Sequence, residues 1–566
     1  MIRVTLMPSA NIARHLTLMA AHQPNEIALK VPRGRTASGA IDYLALTFAE
    51  LEAEVDTWVE RLRDAGVIAG DRVLVMVKPG LPLIAAAFAL FKHGAVPVII
   101  DPGMGLKSFL SCVRRSQPRA LLGIPIARVI SRLFRPSFRS VKVRVATSAS
   151  PVERIANQAS GSARAPLPAR ECGEQDLAAI LFTSGSTGAP KGVCYEHGMF
   201  EAQVRLIRAT YQIQPGEIDL PMLPIFALFN PALGMTTVVP EINPSRPATV
   251  DPEKIVRAIQ QEKVTNSFGS PTLWNKLADY CIEKSITLPT MRRVLCAGAP
   301  VPLELWEKSR RFLPNGLLHS PYGATESLPI SSISSTEIFV LNPALANAAD
   351  ARDSIQSRGA CVGFPVPEIE ARVVAIVDGP IAKIEETRSH GINEIGEIIV
   401  RGPVVTKRYD GLPEATAASK ILAEDGSLWH RMGDTGFFDR DGRLWFTGRK
   451  VESVETADGV LFTEPIEQVF RADEAVARCA LIGLGERPRQ VPALVVQLKN
   501  SSVSKAELRR LATRLHERAR GEAQARVITC FFFHPSFPVD VRHNAKIHRL
   551  ALARWAATQQ PIEVES

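Results

Sequence analysis

LFTSGSTGAPKGV, residues 181–193, gathers hydroxyls, glycines and one lysine into a single short loop. Thr183, Ser184, Ser186 and Thr187 supply hydroxyl donors, while Gly185, Gly188 and Gly192 let the backbone turn tightly enough to aim N–H groups at an anion. Lys191 adds a full positive charge. These residues read as a loop that holds phosphate. A Walker A loop needs Gly directly before its Lys and a helix directly after, so that the helix N-terminus meets the phosphate. Here Pro190 precedes Lys191, and GVCYEH reads as a short strand. Helical spacing (Phe200, Val204, Ile207, Tyr211) begins only near Gly198. With Leu177–Phe182 as the strand that delivers the loop, the order is strand, phosphate loop, strand. The same composition also suits a flexible Gly/Ser surface loop; the ordered Thr-Ser-Gly-Ser-Thr-Gly run followed by Pro-Lys-Gly favours phosphate.

Outward from this loop, helix and strand alternate. Residues 48–66 carry helical periodicity with Gly66 as a stop, RVLVMV (72–77) reads as a buried strand, an apolar helix over 83–92 ends at Gly94, and VPVII follows as a strand. The rhythm predicts an α/β fold, with sheets packed by helices. Residues 147–175, rich in Ser, Ala, Pro and Gly, read as a linking loop. After Gly448 the character changes to a smaller α+β region: a helix at 463–470, strands near Ala480 and Val495, a helix through Leu508, Leu511 and Leu515, and the strand VITCFFF. At 566 residues the chain exceeds what one core usually serves, and the expected domains are 1–448 and 449–566.

Composition excludes several classes. With 46% hydrophobic and 22% charged residues, little long disorder is expected. The eight cysteines are scattered, with no C-x-x-C pair and no zinc spacing, and read as reduced, mostly structural thiols. The N-terminus lacks the apolar core of a secretory leader, and the longest apolar run, Leu81–Phe91, falls well short of the ~20 residues of a membrane span. A cytoplasmic location is expected. The net charge of +9 is uneven: Pro102 to Val152 contains no Asp or Glu but ten Lys and Arg. Within it Ile126, Val129, Ile130, Leu133 and Phe134 recur at helical spacing among Arg128, Arg132 and Arg135, describing a basic amphipathic helix. Two readings stand: a solvated surface helix, or a contact with an acidic partner or the inner membrane surface.

Other stretches offer chemistry. LPMLPIFALFNPALGMTTVVP (220–240) is either core or the wall of an apolar substrate site, lined by Phe226, Phe229 and Met235; Gly269, just before a helix start at Ser270-Pro271, joins that set. The strand VLCAG runs into Gly298-Ala299-Pro300, a strand-end turn of the kind that faces ligands in α/β folds. HSPYGATES brings Tyr322, Gly323, Thr325 and Glu326 into a short turn, which would equally suit a capped helix start. Asp434 lies between Gly433 and Thr435, where Asp is usually a turn former. Asp439 to Gly442 reads as a hairpin turn. FPVDVRHNAKIHR clusters Arg542, Lys546 and Arg549.

Taken in order, the phosphate loop, YGATES, the GDTGFFDRDGRLWFTGRK block and the terminal lysine loop resemble the acyl-adenylate-forming superfamily of acyl-CoA synthetases, peptide-synthetase adenylation domains and luciferases, over nearly the whole chain. FALFNPALGM, CAGAPVP, HRMGDTGFFD and VRHNAKI are most similar to its olefin-pathway β-lactone synthetases. The resemblance implies a large N-terminal adenylate-forming domain and a small, mobile C-terminal domain that carries the catalytic Lys546. It implies ATP and Mg²⁺ as cofactors, a small-molecule fatty-acyl substrate and no nucleic acid. Thr183, Ser184, Thr187 and Lys191 would hold the β and γ phosphates, and Glu326 would bind Mg²⁺ with Thr325 nearby. Tyr322 and Gly298–Pro300 would frame adenine, Asp434 would take the ribose hydroxyls with Arg449 close by, and Lys546 would reach the α-phosphate. One departure bears on the reaction. Many relatives have G-R-x-x-D-x-I-K-x-x-G at the domain hinge, whereas this chain has GRKVESVETADG, with Glu452 in place of Asp and Glu455 in place of Lys. A carboxylate there is unhelpful to polyanionic coenzyme A, so the expected product is a β-lactone closed within the acyl adenylate, with an acyl-CoA or acyl-AMP ligase as the alternative.

Overall fold

The computed structural model describes residues 9–147, 166–183, 189–243, 249–342, 358–500, 503–540 and 546–565, and in strand 177–183 it leaves the Thr183 side chain aside. Ser184 to Gly188, and 148–165 of the expected linking loop, lie outside the described residues.

A six-stranded sheet runs, in spatial order, Val143–Ala146, Ala120–Gly123, Arg72–Met76, Val96–Ile99, Leu177–Thr183 and Lys191–Glu196. All neighbours are parallel except the last pair. Strands covered on both faces read as continuous apolar runs, and Val73, Leu74, Leu121, Leu122 and Ile180 are accordingly buried. Helix Leu81–His93 is apolar nearly all round because it too is buried, and Gly94 ends it with φ +78°. The antiparallel hairpin that closes this sheet sets Thr183 opposite Lys191, so the strand, loop, strand order read from the sequence is the one observed. A bridge between Val193 and Tyr409 lays residues 408–410 along the hairpin's outer strand.

The second sheet joins a parallel part, Asn266–Gly269, Arg293–Cys296 and Leu317–Ala324, to an antiparallel part that includes Ser327–Ser334, Leu428–Phe438 and Leu444–Arg449. Ser270 caps helix Pro271–Glu283, accepting from Leu273 N–H at 3.4 Å. The YGATES stretch is not all turn: Tyr322 and Gly323 belong to strand Leu317–Ala324, and only Thr325 and Glu326 form the tip of a hairpin in which Ala324 pairs with Ser327. Gly323 is required by close approach, since a Cβ there would meet Ser327 O at 2.8 Å.

Beyond Arg449, strands Val476–Leu484, Val491–Leu498, Cys530–Phe533 and Ile562–Glu563 form a separate sheet. It packs with helices Thr463–Arg471, Lys505–Ala519 and Arg549–Ala556 around its own cores, one built on Ile466, Phe470, Leu494, Leu515 and Phe531. The expected strand VITCFFF is shorter than its pattern, beginning at Cys530. Among the described residues no helix is long and apolar enough to cross a membrane.

Candidate functional site

Strands Leu428–Phe438 and Leu444–Arg449 are paired in a register that sets Asp434 opposite Arg449, whose Nε lies 3.0 Å from Asp434 Oδ1. Tyr322 OH donates to Asp434 Oδ2 at 2.6 Å. Asp434 is buried, and burial pushes its carboxyl up, against the pull of Arg449, the Tyr322 hydrogen bond and Lys546. Despite the Arg449 ion pair, Oδ1 accepts no hydrogen bond. A buried acceptor left over in this way fits a ligand hydroxyl, because an unfilled acceptor costs about 1–3 kcal/mol. Asp434 is therefore more than a turn former: it lies inside a strand, not in a turn.

Lys546 belongs to the small unit yet feels this carboxylate. Its backbone is fixed by antiparallel pairing with 538–540: Asp540 N–H donates to Lys546 O at 3.0 Å, His548 N–H to Pro538 O at 2.9 Å, and Lys546 N–H to Asp540 Oδ1 at 2.8 Å. Three residues on, Arg549 is locked into a buried cluster, bonding Glu467 at 2.6 and 2.7 Å and Glu452 at 2.8 Å. Burial alone would lower the Arg549 pKa; Glu467 and Glu452 outweigh it and hold it up. Glu452 thus ties the segment after Arg449 to the lysine loop. Glu455 is not a bare charge: it pairs with Arg487 at 3.1 Å, which weakens the electrostatic case made for it above.

The hairpin tip carries Glu326. Its Oε1 accepts from Tyr409 OH at 2.8 Å, its backbone carbonyl accepts from Thr406 N–H at 2.9 Å, and Thr325 O accepts from Tyr195 OH at 2.5 Å. Lys191 Nζ lies 4.8 Å above the Tyr409 ring, so one tyrosine links the phosphate-loop lysine to the carboxylate. No group of three His, Cys, Asp or Glu able to hold a metal occurs among the described residues. A single carboxylate beside a hydroxyl nevertheless suits Mg²⁺, which keeps several waters and relies on substrate phosphates.

Behind Glu326 lies a pair that sequence reasoning missed. Lys420 is buried with Nζ 3.1 Å from His430 Nδ1. Burial brings the Lys420 pKa down to about 7, against the pull of Glu326. Burial, Lys420 and Lys191 together push His430 well below its ordinary value. Below pH 7 Lys420 is charged and adds to the field that attracts a polyphosphate; above it that charge is lost. The KM for a triphosphate is therefore expected to rise as pH climbs through 7, and in Lys420→Met the inflection should vanish. An unchanged pH profile in the variant would remove Lys420 from the site.

Phe226 and Phe229, on the 3-10 helix Pro224–Phe229, are half-buried. Phe226 stacks on Phe268 (centroids 3.7 Å) and Phe229 on Phe200 (5.0 Å). Phe200 and Phe268 thus stack with these two rings; the sequence hints at Phe200 only through its helical spacing and at Phe268 not at all. Met235 does not line it openly: it is buried in the core, its sulfur facing Asn266 Nδ2 at 3.7 Å. Gly269 ends strand Asn266–Gly269, where a Cβ would strike Met222 Cε at 2.5 Å and Trp274 Nε1 at 2.9 Å. Ile84, Pro221, Ala227, Val239 and Ile242 line a narrow, mostly apolar cavity beside the 3-10 helix. Gly298, Ala299 and Pro300 follow the C-terminal end of strand Arg293–Cys296, with Gly298 at φ +100°.

The profile of the AMP-binding enzyme family matches residues 18–410. The chain is 42% identical over 559 residues to the olefin beta-lactone synthetase of Stenotrophomonas maltophilia (strain K279a), covering 97% of this chain and 98% of that protein. In three dimensions it resembles the amide bond synthetase McbA of Marinactinospora thermotolerans, with a TM-score of 0.75 at 22% identity over 97% and 100% of the two chains. It also resembles the O-succinylbenzoate coenzyme A synthetase of Bacillus subtilis in complex with ATP and a magnesium ion, at TM-score 0.73, 21% identity and coverage of 95% and 98%. The structural likenesses bear on the fold alone, but a profile match across most of the chain and a near-full-length relative at this identity settle its kinship: the chain belongs to the AMP-binding enzyme family.

Proposed function

We propose that the protein uses ATP to adenylate a long-chain 3-hydroxy fatty acid and then closes the acyl adenylate on itself to a β-lactone, releasing pyrophosphate and AMP. The observation that carries this reading is the 42% identity with an olefin beta-lactone synthetase along nearly all of both chains. In the first step a carboxylate oxygen attacks the α-phosphorus and the bond to the β-phosphate oxygen breaks. In the second, the 3-hydroxyl oxygen attacks the activated carbonyl, the bond to AMP breaks, and the hydroxyl proton leaves. That closure is intramolecular, so its high effective molarity offsets part of the strain of a four-membered ring.

The site suits these steps. The loop from Thr183 through Gly188, with Lys191, would bind the β and γ phosphates. Asp434 would take the ribose hydroxyls, while Gly298–Pro300, Tyr322 and Gly323 would border adenine. Thr325 and Glu326 would hold Mg²⁺, which when bound neutralises phosphate charge. Phe226 and Phe229, with Phe200 and Phe268, would wall the alkyl chain. Residues 1–448 would form the adenylating unit and 449–566 the unit that delivers Lys546. The Arg549 bond to Glu452 favours keeping Lys546 near Asp434 through both steps. A coenzyme A ligase is the second reading, supported by the Glu455 to Arg487 pair, which cancels the charge that would repel coenzyme A.

The two readings separate in steady-state AMP release. With a 3-hydroxy acid and ATP, turnover should proceed equally with and without coenzyme A. The matching acid lacking the hydroxyl should give one burst of pyrophosphate and then stall as bound acyl adenylate. Multiple turnovers of both acids only when coenzyme A is present would decide for the ligase.

A further inference from the structure

We propose that helix Pro125–Leu133 and the basic loop that follows dock the protein on an anionic lipid bilayer. The helix lies on strands Ala120–Gly123 and Val143–Ala146 at the edge of the six-stranded sheet. The sequence pattern leaves open whether the apolar stripe packs on the domain or faces a partner, and the structure divides it. Ala127 and Ser131 are buried, and Ile130 and Phe134 pack partly against the core. Ile126, Val129 and Leu133 point outward, 57%, 54% and 73% exposed. Their spacing of three and then four residues places them in one outward row.

The charge carried by residues 102–152 themselves is all positive. Arg114 and Arg144 bond Ser137 and Ser131, Arg115 bonds Pro190 O, Arg119 pairs with Asp71, and Arg128 is half-buried. Arg132, Arg135, Arg139 and Lys142 are exposed and make no ion pair among the described residues. No Asp or Glu occurs between Pro102 and Val152 to offset them. An apolar row bordered by exposed cations is complementary to a surface that is negative outside and apolar just beneath. That describes the headgroup and acyl layers of an anionic bilayer, where each cation contributes about fivefold to binding and the apolar side chains enter the interface. An acidic protein would answer the cations but not the protruding Leu133. Docking of this kind requires no turnover and is independent of the proposed reaction.

Vesicle co-sedimentation with the full chain tests it. At low salt the protein should sediment with phosphatidylcholine vesicles containing phosphatidylglycerol and stay in solution with phosphatidylcholine alone. Arg132→Gln/Arg135→Gln/Arg139→Gln should weaken partition by about a hundredfold, and Ile126→Ser/Val129→Ser/Leu133→Ser should weaken it by about tenfold or more. Both variants should retain pyrophosphate release with a soluble short-chain acid, which verifies that they fold. Tryptophan emission of Leu133→Trp should shift to the blue on anionic vesicles. Any of four results overturns the proposal: wild type that stays in solution with anionic vesicles; partition unaffected by either set of changes; binding to polyglutamate as tight as to vesicles and indifferent to the apolar changes, which would indicate an acidic protein; or concentration-dependent self-association abolished by the apolar changes, which would make the occupant a second copy.

Discussion

Lys546→Ala should slow adenylation by about 10²–10³-fold while leaving binding of acid and ATP within a few-fold, as expected when a preorganised charge is removed from where charge develops. The attack of a carboxylate on a triphosphate brings two anions together, and a cation helps most at the moment they merge. In the reaction proposed, Lys546 would supply that cation; its backbone is held by the pairing of 546–548 with 538–540, and its charge pulls the Asp434 carboxyl down. Single-turnover formation of acyl adenylate measures the step. A rate within threefold of wild type would remove Lys546 from it. Because Arg549 sits three residues on in the buried Glu467 and Glu452 cluster, Arg549→Ala should reproduce part of the defect with Lys546 intact, a positioning effect that Arg549→Lys restores incompletely.

Glu326→Gln should lower adenylation by about 10²-fold and raise the Mg²⁺ concentration needed for half-maximal rate, because it removes a charge while keeping the shape. The amide can still accept from Tyr409 OH, so the hairpin tip should hold and the melting temperature should stay near that of wild type. Pyrophosphate release titrated against Mg²⁺ checks both effects. A wild-type rate and metal dependence would end the metal assignment.

The parts of the site legible in the sequence were those whose chemistry is local. Residues 177–196 announced a strand, loop, strand because alternation and glycines are short-range signals, and the observed register of Thr183 with Lys191 agrees. Asp434 gave no role on its own, since its function depends on strand pairing that sets it opposite Arg449 and on Tyr322 from 112 residues away. Tyr409, Lys420 and His430 were missed for the same reason: each becomes notable only when the chain brings it behind Glu326. The run at 220–240 reads as core or as a substrate wall, and composition cannot separate the two; Met235 is found in the core. The sequence shows Glu455 as a carboxylate unhelpful to coenzyme A but not its partner Arg487, 32 positions on, which pairs with it only in three dimensions. The helix at 125–133 was legible from spacing; which side of it faced outward was not, because its stripe is wide enough to pack from either edge.

The central claim is that the acyl adenylate is consumed by its own hydroxyl. The most direct measurement is the mass of the product formed from a long-chain 3-hydroxy acid with ATP and Mg²⁺, with coenzyme A present in excess. The account predicts a product lighter than the acid by one water and no thioester; a thioester as the main product, with no dehydrated species, would contradict it.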